Sequence, residues 1–158
     1  MTRTAARELA VLISAASAPG TAAETAETFF EPEHYASLAS EGEQFAAVPD
    51  GPQMAYIRAL VTDVDAHREE LDGYIRRHSR GWRPERLSRT AAAILRCALC
   101  ESLYVPDVDT AAAINEAVEL AKKYEGRETA GFINGVLGGF ARAGEEAAQD
   151  SAAAETEP

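Results

Sequence analysis

Ala113-Ile-Asn-Glu-Ala-Val-Glu-Leu-Ala-Lys-Lys123, followed by Phe132-Ile-Asn-Gly-Val-Leu137, decides the fold of this 158-residue chain. In the first string Ile114, Ala117, Val118 and Ala121 recur at spacings of three and four, the period of one helical face. Asp109 or Thr110 can cap that helix, which runs to about Tyr124, and Glu125-Gly126 ends it. The second string belongs to a last helix over roughly 128–142. Asn115, Glu116 and Asn134 are polar residues embedded in apolar helices. All three are expected to satisfy loop carbonyls and helix ends across the bundle, and Asn115 and Asn134 read as specifying the fold rather than chemistry. Gly135, Gly138 and Gly139 follow no strand and read as close-packing positions.

Working outward, Leu9, Leu12, Ile13 and Ala16 mark a helix over 3–17, stopped by Pro19-Gly20. Residues 25–40 carry Phe29, Phe30, Tyr35 and Leu38 and read as a second helix, which Pro32 opposes because a mid-helix proline loses a backbone bond and clashes. Pro49-Asp-Gly-Pro52 is a turn. A long amphipathic stripe follows over 53–78, through Met54, Ile57, Leu60, Val61, Val64, His67 or Arg68, Leu71 and Ile75. Gly81-Trp-Arg-Pro84 breaks it. The next helix covers 84–104 with a kink or break near Leu87-Ser88, where Ser88 can cap. Residues 144–158 are rich in Ala and Glu without large apolar side chains and are expected to be disordered. The expectation is an all-α chain of about seven helices.

Composition sets limits on function. Hydrophobic residues make up 46% of the chain, enough for a core of closely packed helices, and no run of 18 apolar residues predicts a membrane span. The N-terminus reads as mature sequence, and two cysteines fit a reducing cytoplasm. The net charge is −11, but it is unevenly spread. Residues 21–50 hold seven acids and 144–158 hold five, with no Lys or Arg in either, so the remainder carries 15 basic and 14 acidic residues. Seven arginines crowd into 76–96, at 76, 77, 80, 83, 86, 89 and 96, against the single acid Glu85. No nucleophile with a base partner, Gly-rich phosphate loop or spaced metal set is present, so neither catalysis nor a cofactor is expected. Cys97 and Cys100 sit inside an apolar helix and read as core thiols, because zinc would need two more ligands. Asp63 and His67 share a face that reads as solvated.

The strings quoted above, with Ala93-Ile-Leu-Arg96, Ala98-Leu99, Glu101, Ala6-Arg-Glu-Leu-Ala10 and Leu71-Asp72, resemble the NusB family of transcription antitermination factors. The resemblance covers about residues 3–142. It implies a domain of two small helical bundles, 1–80 and 81–142, with 143–158 as an acidic tail. It also implies binding of single-stranded boxA-type RNA in ribosomal RNA transcripts, together with a ribosomal small-subunit protein, and action on elongating RNA polymerase. The alternative is a divergent NusB-like protein-binding module, or a homodimer packing through Ala5, Ala6, Ala15 and Ala16, with RNA binding weakened or lost. Only Arg3 and Arg7 stand where family members carry an arginine-rich run, and Ala91 and Ala92 replace an acid and a base.

The candidate RNA contacts fall into three groups. Arg3 and Arg7, four apart on one helix face, can touch phosphate or line a solvated face. Arg76, Arg77, Arg80, Arg83, Arg86 and Arg89 form an anion-facing surface or balance the acidic segment 21–50. Trp82 among them can stack a base or plug the core. Lys122, Lys123 and Arg127 flank the loop where the resemblance places RNA, with Phe132 as a stacking platform or a core residue. Arg96 and Glu101 read as structural, Arg96 pairing with a carboxylate for which Glu116 and Glu119 are the candidates.

Overall fold

A computed structural model describes residues 1–80 and 86–156, which form eight α-helices and no strand. They are α1 (Arg3–Ala16), α2 (Ala22–Phe29), α3 (Pro32–Ser37), α4 (Gly51–Ala66), α5 (Arg68–His78), α6 (Arg89–Tyr104), α7 (Thr110–Tyr124) and α8 (Arg127–Thr156). Two short 3-10 turns, Leu38–Ser40 and Glu43–Phe45, join α3 to α4. Trp82 and Arg83 lie outside the described residues.

Two helices form the centre. Glu8, Leu9, Ala10 and Val11 of α1 are four consecutive buried residues, so this helix is covered nearly all round. It packs on α2, α4 and α6. The second central helix, α6, buries Ala93, Ile94, Leu95 and every residue from Cys97 to Glu101. Alanine at 6, 10, 91, 93 and 98 lets these helices approach closely. Ala6 is fully buried and Ala16 exposed, so the four alanines at 5, 6, 15 and 16 do not form one outer face. Burial raises both thiols, pushing Cys100 up to about 12, which leaves them as inert core groups.

Local chemistry fixes the ends. Asp50 caps α4 in a reciprocal capping box with Gln53, Ser88 Oγ accepts from Ala91 N at the start of α6, and Asp109 caps α7. Gly126, at φ +117°, makes the turn out of α7 in a conformation that disfavours a side chain.

Three expectations need correction. Residues 25–40 form two helices, because Pro32 starts α3 instead of interrupting α2. The stripe over 53–78 is cut at His67, which takes φ −107°, ψ 18° and stacks its ring on Tyr104 at 4.2 Å. The last helix does not stop at 142. It continues through Thr156, with residues 142–153 exposed. Extending an already packed helix needs no nucleation, and the alanines there are the best helix formers.

Candidate nucleic-acid interface

The two arginines of α1 have separate fates. Arg7 donates from Nε to Glu101 Oε1 at 2.6 Å and from Nη2 to Oε2 at 2.9 Å, and its Nη1 lies 3.6 Å from Glu116 Oε2. Glu101 is wholly buried. Arg7 is therefore committed to a carboxylate inside the protein, which raises its pKa further despite the opposing effect of burial. Glu116 also accepts from Thr4 Oγ1 at 2.8 Å, tying the start of α1 to α7. Arg3 stays exposed, its guanidinium 3.9 Å from the centre of the Tyr56 ring.

The two lysines also differ. Lys123 Nζ donates to both oxygens of the nearly buried Glu8, at 2.9 and 3.1 Å, and Tyr124 OH donates to the same carboxylate. Among the described residues Lys122 meets only Glu119, its neighbour on α7, at 3.2 Å, and half its side chain is exposed. Lys122 and Arg127 line one groove of about 430 Å³ between α7 and α8, with Asn115, Val118 and Asn134. Both asparagines are exposed there and hydrogen-bond no described residue, which overturns the expectation that they satisfy carbonyls across the bundle. The two helices pack on each other, and their buried positions include Ala117, Leu120 and Ala121 on α7 and Ile133, Val136 and Leu137 on α8, which leaves 115 and 134 on the exposed flank. Phe132 is half-buried and borders a smaller cavity with Leu87, Glu128 and Thr129.

Arg76, Arg77 and Arg80 are exposed at the carboxyl end of α5, where they complement its dipole. Here α8 crosses, with Phe140 edge-on to Tyr74 at 5.2 Å. A Cβ on Gly139 would lie 3.2 Å from His78 Nδ1, so that glycine is a close-packing position, whereas Gly135 faces open space. Partial burial, with Arg77 and Arg142 nearby, holds His78 below its ordinary pKa. Arg142 thus joins this basic cluster, unanticipated because sequence spacing does not show where α8 crosses α5. Arg86 and Arg89 are exposed ahead of and at the start of α6. Arg96 is paired, but not with Glu116 or Glu119: its Nε and Nη2 bond Asp72 at 2.8 and 3.3 Å, because its side chain leaves α6 toward α5.

The NusB family model matches residues 4–142. The chain belongs to the NusB family. A transcription antitermination protein NusB from Carboxydothermus hydrogenoformans is 40% identical over 140 residues, covering 87% of this chain and 91% of that protein. One from Acetivibrio thermocellus is 48% identical over 83 residues, where the match spans 57% of the relative's length and 52% of this chain. Among solved folds, a complex of the antitermination factors NusB and NusE with double-stranded RNA superposes at a TM-score of 0.64, with 23% identity, 89% of this chain and 96% of that chain covered. NusB from Aquifex aeolicus superposes at 0.60, with 24% identity and 89% and 88% coverage. These likenesses show a NusB fold. NusB proteins are not enzymes, so no residue here takes a catalytic role. No helix among the described residues is long and apolar enough to cross a membrane.

Proposed function

We propose that this NusB-family chain is a transcription antitermination factor. It binds boxA-type single-stranded RNA of ribosomal RNA transcripts in the cytoplasm, together with a ribosomal small-subunit protein, and acts on elongating RNA polymerase. The family match over residues 4–142 carries this reading. The solved NusB complex with NusE and RNA supports it by analogy of fold. The exposed cations Arg3, Arg76, Arg77, Arg80, Arg86, Arg89, Lys122 and Arg127 supply phosphate contacts. The face between α7 and α8 adds two exposed amides beside Lys122 and Arg127. A gel shift at low salt with boxA-type RNA, with and without the ribosomal protein, tests it. Binding strengthened by the partner is expected, and no shift under any condition overturns the RNA assignment.

A second reading keeps the protein partner and loses strong RNA binding. It is favoured by the commitment of Arg7 and Lys123 to Glu101 and Glu8. Titration calorimetry with the ribosomal protein alone, showing tight binding where RNA shows none, separates the two. A homodimer, the remaining alternative, predicts a doubled mass in light scattering.

A further inference from the structure

A pocket of about 200 Å³ lies between the end of α1, the start of α5 and the start of α6. Three arginines line it, Arg68, Arg89 and Arg96, together with Ser14, Ser17 and Ser88; among the described residues no acid lines it, and at its rim Glu125 accepts from Ser88 Oγ. Arg68 Nε is buried and makes no hydrogen bond to any described residue. Its nearest carboxylate oxygen, Asp65 Oδ1, is 4.0 Å away. Asp65 is already engaged, accepting from Gly20 N at 2.8 Å and Ala22 N at 3.2 Å. Arg96 spends Nε and Nη2 on Asp72 and keeps Nη1. Arg89 is exposed and makes no ion pair with a described residue. Burial and the neighbouring Arg96 guanidinium lower the pKa of Arg68, as expected where cations crowd together.

The backbone adds to this charge. The pocket opens at the amino end of the 16-residue α6, whose first-turn N–H groups have no helical carbonyl to meet. That end carries partial positive charge and favours anions. Guanidinium forks match the oxygens of a tetrahedral phosphate, and a buried donor without an acceptor is costly. Leu87 walls both this pocket and the cavity beside Phe132.

We propose that this pocket binds a phosphate group, either free or on an RNA backbone, through Arg68, Arg89 and the open edge of Arg96. The inference rests on the pocket and not on the antitermination reading.

The test is titration of inorganic phosphate into the full chain at low ionic strength, followed by NMR of backbone amides. Saturable shifts are expected at the start of α6. Arg89→Gln and Arg68→Gln should each weaken binding roughly tenfold, the loss of one charge-assisted hydrogen bond. Arg58→Gln, the same charge change on the exposed face of α4, should leave it unchanged. Shifts that do not saturate, or equal affinities in the Arg89 and Arg58 variants, overturn the site. A boxA-type oligonucleotide then identifies the source. Displacement of phosphate by RNA places an RNA phosphate in the pocket, whereas undisturbed phosphate marks a free-anion site. Failure of RNA to bind anywhere leaves the phosphate titration intact.

Discussion

Arg7 and Glu101, 94 residues apart, meet in a two-pronged ion pair between the two central helices, and Glu101 is sealed from solvent. Removing one partner of such a pair strands a buried charge, which costs about 3–5 kcal/mol. Arg7→Ala is therefore expected to lower the free energy of urea unfolding by that order, and Arg3→Ala, at an exposed site, by less than about 0.5 kcal/mol. Equal effects of the two substitutions would refute the assignment of Arg7 to the core.

Lys122 and Lys123 are neighbours with different expected roles. Lys122→Gln should flatten the dependence of RNA affinity on salt by about 0.7 of a unit, the value for one single-strand phosphate contact. Lys123→Gln should leave that slope alone and lower stability by about 1 kcal/mol, because Glu8 loses its cation in a part-buried setting. Salt titrations of RNA binding, paired with denaturant melts, check both.

Gly135 and Gly139 should respond in opposite directions to alanine. Gly135 lies in α8 facing open space, so Gly135→Ala is expected to stabilise by about 0.5–1 kcal/mol. At Gly139 the new methyl meets His78 at 3.2 Å, so Gly139→Ala should gain less or destabilise. Thermal melts of the two variants compare them directly.

His78 gives a pH dependence. Its folded pKa lies below its ordinary value of 6.5, so the unfolded chain binds more protons in that window. Stability contributed by neutral His78 is full above pH 6.5 and falls as the pH drops through 6.5 toward the lower folded value. His78→Gln should remove part of the decline in Tm on acidification from pH 7.5 to 5.5. An unchanged decline would count against the partial burial of His78 beside Arg77 and Arg142 as its cause.

The helix α7 was legible because its cap, apolar face and terminating Gly126 are all local signals. The fold followed from the strings around it, and the family match bears out that reading. The break at His67 was not legible, since the apolar stripe from Met54 to Ile75 runs through it without change of period. The ion pairs were hidden for a related reason. Sequence shows how many carboxylates exist, but helix packing chooses between them, and so Arg96 meets Asp72 and not Glu116. Arg68 read as one residue of a stripe, and its place in a basic pocket depends on α1 and α6 arriving beside it. Asn115 and Asn134 looked interior because apolar residues surround them along the chain, yet each occupies the flank of its helix.

The ties of α1 to Glu101, Glu116 and Lys123 have a further consequence, for the order of folding. Helix α1 finds these partners on α6 and α7, some 94 to 115 residues later in the chain. Such long sequence separations slow folding by raising contact order. Helices α2 and α4 can cover part of its apolar face early, but its charged ties close only when synthesis has passed Tyr124. Closing the protein is thus an event of late translation.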